Sequence, residues 1–342
     1  YGLRKEKFAA LQNLSLQSAA WKTLTPKAPY HFFVPKDFTL QKEYRKGFSL
    51  TELFTHYNSG ASTSRDRLIV QSKKEEVSHL LEEIRTQTTD NLRRKYKLGL
   101  DTRNWKVANA QLDAKSSAVI VLEYAYRPFD ICFAPYSGVS RGLWAYPCFS
   151  TLGALLHPSN YALCTTRFVT AFDTFYHCMV SDTLVDKCFV SNLPSESTYA
   201  FPLYKLLAGW NYTPAELAAG KTCAGEPIVL ELNMRPEVLA KISEAVGEPV
   251  TGEEVFDYVY GVLHDPEYRV KYFEFLKIDY PRIPYPKDLA EYRLFAERGA
   301  RLRRLHLMDE TLELPQVATF EVAGSNEVTA VRYEETPLGE RN

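Results

Sequence analysis

Between residues 117 and 200 the apolar residues come in short runs, and polar or Pro/Gly turns separate them. Ala118-Val119-Ile120-Val121-Leu122 opens the series as a strand. Tyr124-Ala125-Tyr126-Arg127-Pro128-Phe129-Asp130 leads into Ile131-Cys132-Phe133. Further runs follow at Tyr161–Cys164, Phe168–Phe172, Tyr176–Val180 and Lys187–Val190. Runs this short, with turn residues between them, have the length and punctuation of strands. Any fold for this chain must therefore be built around a strand-rich middle.

The period changes on both sides. Leu3, Phe8, Leu11 and Leu14 predict a helix over 1–16. Pro26, Pro29 and Pro35 forbid a regular helix next, so Tyr30-His31-Phe32-Phe33-Val34 should be extended. Tyr44 to His56 is a short apolar segment. The polar loop Asn58–Asp66 should end in a strand, Leu68-Ile69-Val70. Val77, Leu80, Leu81, Ile84 and Leu92 predict one long helix over 74–97. Helices are expected at 236–247 and 253–264, and again from Pro266, with Tyr268, Tyr272, Phe275 and Leu276 on one face. The prolines of 281–286 break that pattern before a last helix at about 287–308. Val317 to Tyr333 alternates like a strand pair around Gly324-Ser325-Asn326. The fold class is α+β: a strand-rich part over 46–235, then a helical support with a terminal strand pair over 236–342.

Of the 342 residues, 45% are hydrophobic and 24% charged, which excludes wholesale disorder. No run of about 18 apolar residues could span a membrane. The first residue is Tyr1 rather than Met and no apolar signal core follows, so a fragment or trimmed chain in the cytoplasm is expected. The cysteines at 132, 148, 164, 178, 188 and 223 form no Cys-x-x-Cys pair, so they read as small buried hydrophobes. The net charge of −1 conceals a gradient: residues 1–110 carry +9, 111–230 carry −2 and 231–342 carry −8. A basic third on a neutral chain suits a polyanion, or else a solvated surface.

Several chemistries are missing. There is no Pro-Pro dipeptide, hence no Asp/Asn-Pro-Pro-Tyr/Phe loop for holding a flipped base. Gly-x-Gly-x-x-Gly and Gly-x-Ser-x-Gly are absent. Gly220-Lys221-Thr222 resembles only the tail of a P-loop, because Ala215 occupies the first glycine position. No two histidines stand four apart. Asp182 and Asp186 do, and could share a helix face as an acid–base or metal pair; two solvated acids is the plainer reading. No catalytic constellation, metal site or cofactor site emerges.

Longer segments are more particular. Val255-Phe256-Asp257-Tyr258-Val259-Tyr260-Gly261-Val262-Leu263-His264-Asp265-Pro266-Glu267-Tyr268 runs on to Phe275-Leu276-Lys277-Ile278-Asp279-Tyr280-Pro281-Arg282-Ile283-Pro284. This closely resembles the C-terminal specificity region of type ISP restriction–modification enzymes and related adenine-specific DNA methyltransferases. Pro29-Tyr30-His31-Phe32-Phe33, Ser59-Gly60-Ala61-Ser62-Thr63-Ser64-Arg65-Asp66, Tyr126-Arg127-Pro128-Phe129-Asp130, Phe201-Pro202-Leu203-Tyr204 and Val322–Val328 fit in the same order. The resemblance implies a DNA target-recognition module, with 1–45 as the exit from a methyltransferase domain. It implies duplex DNA and that methyltransferase domain as partners. S-adenosylmethionine, ATP and Mg would serve only the parent enzyme's other domains.

Given that resemblance, the candidate DNA contacts are Ser62, Thr63, Ser64, Arg65, Arg67, Arg141, Asn160 and Arg167. Hydroxyls can meet phosphate or base edges, Arg141 on its Gly-flanked loop can read guanine, and Asn160 can satisfy adenine with two hydrogen bonds. Arg65 paired with Asp66, and turns at Arg141 and Asn160, are the structural alternatives. Arg93, Arg94, Lys95 and Lys97 either follow phosphates or complement a helix C-terminus. Arg301, Arg303 and Arg304 read as a solvated helix face. Two rival functions stay open: a scaffold docking methyltransferase to motor, and a hydrolase using Asp182, Asp186 or His306.

Overall fold

The computed structural model describes residues 4–313 except 16, 27, 29, 30, 34–36, 171–173, 194 and 210. Its contacts divide the chain at Leu307. Beyond that division the described residues form a turn, in which Asp309 accepts from the Thr311 amide and hydroxyl. The expected strand pair at 317–333 lies outside the described residues, as do Tyr30 and Val34.

The unit ending at Leu307 opens with α1 (Arg4–Asn13), α2 (Gln41–Tyr44), β1 (Phe48–Ser49), α3 (Leu50–Leu53), β2 (Asn58–Ser59) and α4 (Asp66–Ile69). Next come α5 (Lys74–Thr86), α6 (Thr89–Lys95), α7 (Val107–Ala114), β3 (Ile120–Arg127), β4 (Asp130–Tyr136) and α8 (Phe149–Leu152). The middle continues with β5 (Ala162–Thr166), β6 (Cys178–Ser181), β7 (Leu184–Val185), β8 (Thr198–Pro202), β9 (Tyr204–Leu206), α9 (Pro214–Ala219) and β10 (Leu230–Leu232). It closes with α10 (Pro236–Val246), α11 (Gly252–His264), α12 (Pro266–Lys271), α13 (Phe273–Leu276), β11 (Arg282–Ile283) and α14 (Leu289–His306). The class is α+β, as expected.

An antiparallel sheet in the order β2-β8-β5-β6 lies at the centre. Because strand side chains alternate between faces, this sheet feeds two cores. Ala162, Cys164, Met179 and Ala200 join a core with α5, α7 and the β4-β3-β7 sheet. Leu163, Cys178, Val180 and Phe201 point the other way, into a core with α10, α11 and α14. Antiparallel sheets often leave one face wet; every residue of β5 and β6 is buried.

The helical core is tight at one crossing. A Cβ on Gly299 would fall 1.8 Å from the Asp257 carbonyl oxygen, and one on Gly261 2.3 Å from that of Phe295. Helices α11 and α14 can approach this closely only with glycine at both positions. Thr251 and Glu254 form a capping box at the start of α11. Arg303 donates to both oxygens of Asp257, at 2.6 and 2.9 Å, and lies 4.5 Å over the Tyr161 ring. It is therefore a tie between helices and sheet, not part of a solvated face.

Other expectations are corrected. Leu68 and Ile69 belong to helix α4, because their amides donate to the Arg65 carbonyl. The helix over 74–97 breaks at Gln87, and Thr88 starts α6 by accepting from the Asn91 amide. Residues 31–33, 168–170 and 187–190 form no strand. Asp182 and Asp186 flank β7 and share no helix face. No helix among the described residues is long and apolar enough to cross a membrane.

Gly299→Ala tests the crossing. Alanine's helix propensity would add about 1 kcal/mol of stability, but the clash should dominate and give a net loss of about 1–3 kcal/mol. Urea denaturation measures it.

Candidate nucleic-acid interface

The chain leaves the central sheet at β2 and enters a splice. The Ala61 amide donates to the Val185 carbonyl and the Lys187 amide to that of Ala61, both at 2.8 Å. Ser62 and Tyr146 exchange amide–carbonyl bonds at 2.8 and 3.0 Å. Gly60 allows this insertion, since a Cβ there would sit 2.4 Å from the Asp186 carbonyl oxygen. Residues 60–62 thus join the central sheet, the β7 end and the Tyr146 loop.

A turn follows. Ser64 has φ +58. The Thr63 hydroxyl donates to Asp66 and accepts the Arg65 amide at 3.0 Å. The second oxygen of Asp66 accepts the Tyr126 hydroxyl at 3.0 Å. Burial first, and then the Asp66 charge, push the Tyr126 phenol up to about 12. Next to this set, buried Asp186 accepts from the Tyr124 hydroxyl, from Arg127 at 3.0 Å and from the Cys188 amide at 2.7 Å. Burial raises the Asp186 carboxyl above its usual range despite those bonds.

A cleft of about 500 Å³ opens over this network. Arg65, Arg67, Lys97, Arg127 and Lys187 line it, together with Asp66 and Asp186. The two carboxylates are engaged with hydroxyls, amides and Arg127. Arg67, Lys97 and Lys187 have no carboxylate partner among the described residues. Arg127 lies 4.1 Å over the Tyr126 ring, which holds its guanidinium flat at the wall. The cleft is therefore cationic where a ligand could touch it.

The candidate residues separate. Ser62, Ser64, Arg65 and Arg67 line the cleft. Arg65 is not paired with Asp66: it donates to the Ser64 and Leu100 carbonyls at 2.7 and 3.0 Å and lies 4.9 Å over the Trp105 ring. Thr63 is fully buried and spent on the turn, so it offers no hydroxyl to DNA. Asn160 is also corrected. It is buried, its amide donates to Ala154 and Tyr204 carbonyls, and its oxygen accepts the Tyr161 and Tyr204 amides. No hydrogen-bonding capacity remains for adenine. Arg141 is exposed at φ +61 on the loop whose Gly138 and Ser140 border a second cavity. Arg167 lines neither cavity and pairs with Asp279 at 3.0 Å. Of the basic helix end, Arg93 pairs with Asp101 and Lys95 with Glu83, and only Lys97 reaches the cleft.

Sequence reasoning did not select Arg127 and Lys187. Arg127 carried one signal: it lies in the Tyr126-Arg127-Pro128-Phe129-Asp130 segment that resembles the family.

The family model of the type ISP C-terminal specificity domain matches residues 52–341. The chain belongs to that family. Three solved structures share the specificity domain's fold. One is the cryo-EM structure of a DrdV–DNA complex, with 21% identity and TM-score 0.62 over 90% of this chain and 30% of that one. Another is a nuclease-deletion mutant of the type ISP restriction–modification enzyme LlaGI with a DNA substrate mimic, with 19% identity and TM-score 0.59 over 93% of this chain and 24% of that one. The third is the ATP-dependent type ISP enzyme LlaBIII bound to DNA, with 19% identity and TM-score 0.51 over 80% and 17%. This chain thus spans less than a third of each. No curated protein sequence matches.

The two kinds of candidate residue should behave differently. Asn160→Ala should cost the specificity domain about 2–4 kcal/mol, because four buried groups lose partners. Arg141→Ala should change stability by less than about 0.5 kcal/mol. Parallel urea titrations check both.

Proposed function

We propose that this specificity domain recognises the DNA target of a restriction–modification enzyme whose other domains methylate adenine. On this reading the chain itself is non-catalytic. It acts in the cytoplasm as part of bacterial defence, and its partners are duplex DNA and the methyltransferase domain of its parent. S-adenosylmethionine, ATP and Mg serve those other domains.

The cleft carries the reading. Cations from four chain segments, 65–67, 97, 127 and 187, converge on it, while its carboxylates are engaged with protein groups. Arg67, Lys97 and Lys187, which have no carboxylate partner among the described residues, suit a phosphate backbone. A pure scaffold would not need them. The hydrolase alternative lacks support: His306 meets the Tyr260 hydroxyl at 2.5 Å, and Asp186 is consumed beneath the cleft. Among the described residues no three His, Cys, Asp or Glu gather as metal ligands.

Fluorescence anisotropy with a random-sequence duplex tests this. Affinity should fall steeply between about 50 and 200 mM salt as counterions are released. Arg67→Ala and Lys187→Ala should each flatten the log–log slope by about one unit. Absence of binding at low salt would overturn the proposal.

A further inference from the structure

A second cavity adjoins the cleft across the Ser62–Tyr146 pairing. It holds about 710 Å³, and Asn58, Tyr146, Phe149, Lys205 and Asn211 are among the residues around it. Sites for small groups span about 300–1,000 Å³. Its chemistry differs from that of the cleft. Its one Lys, Lys205, already stands 3.5 Å from Glu231. Beside His56, whose ring meets the Thr55 hydroxyl at 2.9 Å, and Cys148, the lining is amide, hydroxyl, aromatic and aliphatic surface.

Asn233 in the cavity wall is saturated by four hydrogen bonds, whereas Asn58 is held and still has donors to spare. It lies in β2, in register with Ala200 of the central sheet. Its oxygen accepts the Ser59 amide at 2.8 Å, which orients the side-chain amide. The Ser59 hydroxyl approaches the same oxygen at 3.5 Å, a contact long enough for a base amino group to displace, and the NH₂ group has no partner among the described residues. Asn211 is exposed at the cavity rim. A phosphate presents only acceptors and suits donor-only side chains. An amide offering donor and acceptor together suits a base edge that shows both. Adenine does so in the major groove, where Asn can donate to N7 and accept from the N6 amino group.

Spacing agrees. The four residue steps from Asn58 to Ser62 span about 13 Å of extended chain, close to the major-groove width of about 12 Å. A backbone lying on the cleft would leave the neighbouring groove near the cavity. We infer that this cavity reads base edges, with Asn58 specifying an adenine and Asn211 at its rim. The inference rests on the DNA-recognition reading.

Selection from a randomised duplex library tests it, using the unaltered chain, Asn58→Ala, Asn58→Asp and Asn211→Ala. The unaltered chain should enrich a site with a fixed A·T pair. Asn58→Ala should relax that one position by on the order of tenfold, with affinity for random duplex and its salt slope unchanged. Asn58→Asp keeps the bond to the Ser59 amide but cannot donate. It should shift the preference from adenine toward cytosine, whose amino group an acid can accept. Loss of folding could not produce that switch. Asn211→Ala should weaken site preference without unfolding the chain. An unchanged consensus in both Asn58 variants would overturn the inference, and so would an equal loss of affinity for every sequence. Binding without enrichment of any sequence by the unaltered chain would also overturn it. No binding of any duplex would instead defeat the underlying DNA reading.

Discussion

Burial of both faces of the β2-β8-β5-β6 sheet is the constraint on which the rest depends. Ala162, Cys164, Met179 and Ala200 face one core, and Leu163, Cys178, Val180 and Phe201 face the other. A one-residue slip would exchange these sets and misfit both cores, so the register is fixed from two sides. Saturated asparagines fasten the ends. Asn233 donates to the His56 and Pro202 carbonyls and accepts from the Thr55 hydroxyl and the His56 amide. Asn160 does the same between the chain entering β5 and Tyr204. Strand β2 therefore leaves a rigid sheet, and the splice at 60–62 starts from a defined position.

The second requirement is charge sorting. A chain of net charge −1 presents a positive cleft only if its acids face elsewhere. Beneath the cleft Tyr124, Tyr126, Thr63 and the Cys188 amide occupy the oxygens of Asp66 and Asp186. Burial alone would disfavour the Asp186 charge; Arg127 and the hydrogen bonds oppose that effect. The excess of +9 in the first 110 residues contributes less than its size suggests, since Arg93 and Lys95 are neutralised locally. The cleft's charge comes from residues scattered from 65 to 187.

Much of the helical half was legible. Gly247 ends α10, Thr251 with Glu254 opens α11, and Pro266 opens α12; these local signals agree with the apolar period. Of the aromatic residues at 256–285, Phe256, Tyr258, Tyr260, Tyr268, Tyr272 and Phe275 are core, while Phe273, Tyr280 and Tyr285 are half-buried. Leu68-Ile69-Val70 misled because β-branched composition favours a strand, whereas the Thr63–Asp66 contact and the Arg65 carbonyl set a helical turn. The loop at 62–67 was found from its small residues and arginines. Its partners Arg127 and Lys187 were not, because long-range strand pairing brings them there. The fate of Asn160 was equally hidden: whether an Asn reads a base or staples two strands depends on Tyr204, 44 residues away.

The central claim is that DNA lies over the cleft and the adjoining cavity, on the splice that hangs from the sheet. Amide hydrogen exchange with and without duplex DNA at low salt tests this most directly. The account predicts slowed exchange at 58–67, 97–100, 140–148 and 186–188, with little change in α10, α11 and α14. Protection confined to those helices, with the splice unaffected, would contradict it.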